Sequence, residues 1–97
     1  MLLRMMKNNR VIKGFGMVSS LVIRDPDLTL QEKALYSYLC SYSGGQNEVF
    51  VSVNRMCSEC GITQSTVKRI LTSLEKKGII LRENRTVGST RKTILLK

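Results

Sequence analysis

At 97 residues, 42% of them hydrophobic, the chain is one small domain whose composition argues against disorder except at its ends. Its net charge of +9 is unevenly placed: residues 1–48 carry six Lys and Arg against four acids, a net +2, and residues 49–97 carry ten against three, a net +7. No stretch reaches the length of a membrane span, and the apolar start MLLRMMK is broken by Arg4 and Lys7 before a signal-peptide core can form, so a cytoplasmic protein is expected.

Residues 1–13 alternate basic with apolar groups without periodicity and read as a flexible N-terminal arm ahead of one domain, 14–97. Phe15 to Ile23, FGMVSSLVI, is rich in aliphatic and β-branched residues and predicts a short strand that stops at the Asp25-Pro26 turn. Thr29-Leu-Gln-Glu32 has capping-box spacing, with Thr29 capping forward and Glu32 reaching back. It predicts a first helix from about Leu30 to Tyr42, with Leu35, Tyr38, Leu39 and Tyr42 on the apolar face, Ala34 allowing close approach, and Gly44-Gly45 as the stop.

Val49-Phe50-Val51 is a β-favourable run too short to stand alone, so it is expected to pair with a later segment. Ser52 can cap a second helix over about Val53 to Cys60, with Val53, Met56, Cys57 and Cys60 inward. Gly61 suits the positive φ that ends a helix and Thr63 suits an N-cap, so Cys60 to Thr63 reads as a tight turn between helices.

In the third helix, 64–77, Val67, Ile70, Leu71 and Leu74 recur at i, i+3, i+4 and i+7 and must face the core. Gln64, Ser65, Lys68, Arg69 and Thr72 are left on the opposite side, as groups able to donate to phosphates or base edges. Lys76, Lys77 and Gly78 close the helix, the glycine by a left-handed cap and the lysines by complementing the dipole. Ile79-Ile80-Leu81 and Thr93-Ile94-Leu95-Leu96 are strand-length runs around RENRTVGSTRK, which predicts a hairpin with a basic tip carrying Arg82, Arg85, Arg91 and Lys92 and a turn at Gly88-Ser89.

The expected fold class is therefore α+β: a winged helix-turn-helix of three helices with a C-terminal β-hairpin wing and a short N-terminal strand. Helices one and two and the hairpin would bury the inner face of the third helix and leave its outer face standing proud. The major groove of DNA accepts one α-helix and shows a distinct donor and acceptor pattern for each base pair, while a basic hairpin can follow the backbone or enter the minor groove.

MCSECGITQSTVKRILTSLEKKGII resembles the helix-turn-helix of winged-helix bacterial DNA-binding proteins. GFGMVSSLVIRDPDLTLQEKALYSYLCSYSGG is similar to the lead-in of helix-turn-helix proteins of plasmids, phages and conjugative elements, some of them replication initiators. Together the two cover residues 14–81, with one departure, Cys60 where the pattern usually has Leu. Carried onto this chain, the resemblance implies contacts to double-stranded DNA from Gln64, Ser65, Thr66, Lys68 and Arg69 on the helix and from Arg85 and Arg91 in the wing. Gln64 and Arg69 are the candidates for base reading, since Gln can pair bidentately with adenine and Arg with guanine; Ser65, Thr66, Lys68 and the wing arginines suit phosphates. For each residue a solvated surface position is the plain alternative. Winged helices often form homodimers, for which palindromic sites are expected.

Cys57-Ser-Glu-Cys60 is a CxxC. Zinc would need two more ligands, and with no histidine only Cys40 remains; a redox pair normally opens a helix, whereas this one closes a helix. Small core fillers are the better reading, and no metal or other cofactor is expected. With no histidine, phosphate-binding glycine loop or paired carboxylates, neither catalysis nor a small-molecule substrate is expected. The competing function is a protein-interaction module, in which Leu2, Leu3, Met5 and Met6 of the arm would supply the contact.

Overall fold

A computed structural model describes residues 16–43, 46–87 and 90–97, with side chains described as far as Glu83 and again from Arg91. The expected arm, the Gly44-Gly45 stop, the Gly88-Ser89 turn and the Arg85 side chain lie outside the described residues. The elements run α1 (Ser20–Ile23), α2 (Leu30–Ser43), β1 (Glu48–Phe50), α3 (Val53–Cys60), α4 (Gln64–Lys76), β2 (Ile80–Val87) and β3 (Thr90–Leu95). Helices α2 and α3 pack on α4, and β1, β3 and β2, in that order, make one antiparallel sheet that closes the other side. This is the α+β winged helix. None of the described helices is long and apolar enough to cross a membrane.

The N-terminal strand is the element that differs. Residues 16–19 have no regular structure and Ser20–Ile23 form one helical turn. Strand propensity is realised only against a partner. Here the turn buries Val22 in the core, and the Ser19 amide donates to the Tyr36 hydroxyl at 3.1 Å.

Helix α2 begins with the expected capping box: the Glu32 amide donates to Thr29 Oγ1 at 3.1 Å and the Thr29 amide to Glu32 Oε1 at 2.7 Å. Its buried face keeps the expected Leu35 and Leu39 but is turned towards Tyr36 and away from Tyr42. Tyr36 is 1% exposed and Tyr42 38%, and Glu32, Leu35, Leu39, Cys40 and Ser43 share the inward side, while Ala34 is exposed. Tyr36 can be buried because its hydroxyl is paired, accepting from Ser19 and donating to the Lys97 carbonyl at 3.2 Å. Tyr38 and Tyr42 instead donate to the Glu59 carboxylate and so tie α2 to α3.

Ser52 caps α3, accepting from the Arg55 amide at 3.1 Å, and Gly61 ends it at φ 72° with its amide 2.9 Å from the Cys57 carbonyl. Only Met56 of this helix is fully buried; Val53, Cys57 and Cys60 pack against the core from its margin, as small fillers would. In α4 the four apolar residues Val67, Ile70, Leu71 and Leu74 are all buried.

β1 pairs with β3 through Val49 and Thr93, which supplies the partner the short run needed. The hairpin is longer than the two apolar runs implied: β2 and β3 are paired out to Val87 and Thr90, with a bulge between Arg82 and Thr86. Arg82, Arg91 and Lys92 therefore lie in the strands and not in a tip loop.

Candidate nucleic-acid interface

The outer face of α4 is built from the cap upward. Thr63 Oγ1 accepts from the Thr66 amide at 3.3 Å and lies 3.2 Å from the Ser65 hydroxyl, so the first turn is held and presented at a fixed angle after Gly61. Gln64, Ser65, Lys68, Arg69, Thr72 and Lys76 are all exposed. They form one stripe because the apolar residues at i, i+3, i+4 and i+7 occupy the core side.

Two hollows flank the stripe. On the wing side, a groove of about 570 Å³ is lined by Gln64, Lys68 and Thr72 together with Asn54, Arg82 and Arg91. On the other side, Ser65, Arg69, Ser73 and Lys76 share a shallower hollow with Lys68 and Thr72. Strand alternation decides which wing residues join the groove. Arg82 is paired across the ladder with Thr93, which is fully buried, so its side chain lies on the inward face towards α4, as does that of Arg91.

The structure thus brings Gln64, Lys68, Thr72, Arg82 and Arg91 around one groove. It places two other expected contacts elsewhere. Thr66 is half-buried on the α2 side, with its hydroxyl 2.9 Å from that of Thr63, and it lines a cleft with Gln31, Leu35 and Ile70. Lys92 points to the other face of the sheet between Glu48 at 3.1 Å and Glu83 at 3.2 Å, and these two carboxylates raise its pKa. Arg85 keeps its backbone place in β2, with its side chain outside the described residues.

Charge on the stripe is compensated little, because four of the acids are engaged in ion pairs elsewhere. Glu32 is paired with Lys77, Glu48 and Glu83 with Lys92, and Glu59 with Arg55. Glu75 alone among the acids lines the groove, where it accepts from the Arg82 amide at 3.2 Å. Among the described residues Lys68, Arg69 and Lys76 make no ion pair. Arg69 donates to Gln31 Oε1 at a long 3.4 Å.

Arg82 is the unusual cation. It is 8% exposed, its Nε has no hydrogen-bond partner, and its pKa is lowered, first by burial and then by the neighbouring Arg91 charge, with Glu75 opposing. Arg91 is held across the hairpin, its guanidinium donating to the Glu83 carbonyl at 2.9 Å and the Arg82 carbonyl at 3.3 Å. Two guanidinium groups beside Lys68 make the groove a place for an anion.

Sequence reasoning missed Asn54 and Gln31. Asn54, the second residue of α3, accepts a hydrogen bond from Gln64 Nε2 and lines the groove. Its signal was weak, since it precedes Gln64 by ten positions and meets it only once the turn at Gly61 has set the angle between helices.

A family model described as a helix-turn-helix domain matches residues 27–80, more than half of the chain. The matched span runs from three residues before α2 through α2, β1, α3 and α4 to the first residue of β2. No curated protein and no solved structure matches.

Proposed function

This chain belongs to the helix-turn-helix domain family, and we propose that it binds double-stranded DNA sequence-specifically, with α4 in the major groove and the hairpin against the backbone. It acts by binding alone, in the cytoplasm, as a transcriptional regulator or as the DNA-reading part of a mobile-element replication or transfer system. The observation that carries this reading is the α4 stripe: polar and short at its N-terminal end, basic behind, with Lys68, Arg69 and Lys76 in no ion pair among the described residues, and continuous with a groove holding Arg82 and Arg91. Helix N-terminal residues meet base edges in this docking mode, so Gln64 and Arg69 are the base readers and Ser65, Lys68, Arg82 and Arg91 the phosphate contacts.

Selection of bound sequences from a random duplex pool tests this directly. A defined motif supports it, and a motif with two-fold symmetry adds a homodimer. Enrichment of no sequence would sink it. The exposed Phe50, Leu81 and Leu96 favour a second reading, a protein-interaction module. Light scattering that shows concentration-dependent association without any DNA binding would support that reading over the first.

A further inference from the structure

Gln64 opens α4, and its amide is held from outside its own helix. Its Nε2 donates to Oδ1 of Asn54, on α3, and both side chains are exposed and line the wing-side groove. A primary amide has two N–H donors and one acceptor oxygen. With one N–H engaged by Asn54, Gln64 keeps one N–H donor and its acceptor Oε1. Those two groups match the N7 acceptor and N6 donor that adenine shows in the major groove.

We propose that Asn54 is a positioning residue for sequence specificity, which fixes the rotamer and amide orientation of Gln64 so that the pair selects adenine. The inference rests on the reading of α4 as the base-reading helix. Asn54 is a firm anchor: α3 is capped by Ser52 two residues earlier, and Met56 is buried in the core two residues later. A glutamine without such a partner orders its rotamers only on binding and can present its amide either way round, donors first or oxygen first. Prior orientation removes that ordering cost, worth about 2- to 10-fold in affinity for one long side chain, and it removes it only at the base that Gln64 meets.

The test is selection from a random duplex pool with the full chain and its Gln64→Ala, Asn54→Ala and Asn54→Asp variants, each first shown to melt like the wild type. The wild type is expected to require adenine at a position whose preference vanishes in Gln64→Ala. Asn54→Ala is expected to lower that preference by about 2- to 10-fold and to leave the other positions as they were. Asn54→Asp keeps the acceptor oxygen, so it retains the adenine preference while its charge weakens binding to all sequences alike. An unchanged adenine preference in Asn54→Ala, or an equal loss at every position, would overturn the role of Asn54. A wild type that selects nothing, or a motif indifferent to Gln64→Ala, would instead overturn the underlying reading of α4.

Discussion

Lys77 Nζ lies 2.8 Å from Oε1 of Glu32, so the carboxylate that completes the cap of α2 also anchors the C-terminal end of α4. Ser73, one turn earlier on α4, donates to the other oxygen of the same group. The Lys77 ammonium also reaches the Asp27 carbonyl, at 2.7 Å, and so gathers the chain on both sides of the cap. Helix α4 is thereby held at its far end by one buried acid, while Thr63 and Gly61 hold its near end.

Burial on its own would raise the Glu32 pKa, but the hydrogen bonds from Lys77, Ser73 and the Thr29 amide outweigh it and bring the group down from 4.5 to about 2. A depressed folded-state value means the stabilisation is fully present above the unfolded value near 4.5 and is lost as pH falls through that window towards about 2. The contribution at neutral pH is about 2 to 4 kcal/mol. Urea unfolding between pH 6 and roughly pH 2 should show this loss in the wild type, and Glu32→Gln should remove most of its pH dependence.

Gly61 stands at φ 72° with no atom within 4 Å of where a Cβ would sit, so a side chain there meets backbone strain alone. Gly61→Ala should cost about 1 to 2 kcal/mol in thermal or urea unfolding. Gly61→Asn should cost less, because asparagine enters the left-handed region more readily. Equal stability of wild type and Gly61→Ala would mean that the turn between α3 and α4 is built differently.

Arg82 combines burial, an unpartnered Nε and a lowered pKa with a place beside Lys68 in the groove. Replacing a buried, poorly partnered charge by an apolar side chain of similar length is often neutral or stabilising. Arg82→Met should therefore melt at or above the wild-type temperature. Its DNA affinity should fall by a similar factor on specific and random duplexes, with a log-log salt slope shallower by about 0.9. A change in base preference would show that Arg82 reads sequence and does not hold a phosphate.

Arg69 projects from the middle of the stripe with one long hydrogen bond to Gln31. Arg69→Ala should cost roughly 1 to 3 kcal/mol on the selected site and less on random DNA, by fluorescence anisotropy. An equal loss on both would move Arg69 from base reading to phosphate holding.

Local chemistry made most of this fold readable. Ser52, Thr63, Gly61, Gly78 and the Thr29–Glu32 box each announce a helix end within a few residues, and Val67, Ile70, Leu71 and Leu74 announce a face. The family match bears out the helix-turn-helix itself. What was not readable depends on distant partners. Tyr36 is buried because Ser19 and Lys97 satisfy its hydroxyl, so the apolar face of α2 keeps Leu35 and Leu39 but takes in Tyr36 in place of Tyr42. Residues 20–23 coil because Val22 has a place in the core, against their strand propensity. In the wing, charge alone grouped Lys92 with Arg82 and Arg91, whereas strand alternation and Glu48 turn Lys92 to the opposite face.

Titration of a mixed-sequence duplex across a salt series asks whether the α4 stripe binds DNA. Measurable binding at low salt is expected, weakening with a log-log slope of about −0.9 for each phosphate neutralised. The slope should become shallower when Lys68 is replaced by Ala. No binding at low salt, or an affinity indifferent to salt, would mean that the α4 stripe is not a DNA-binding surface.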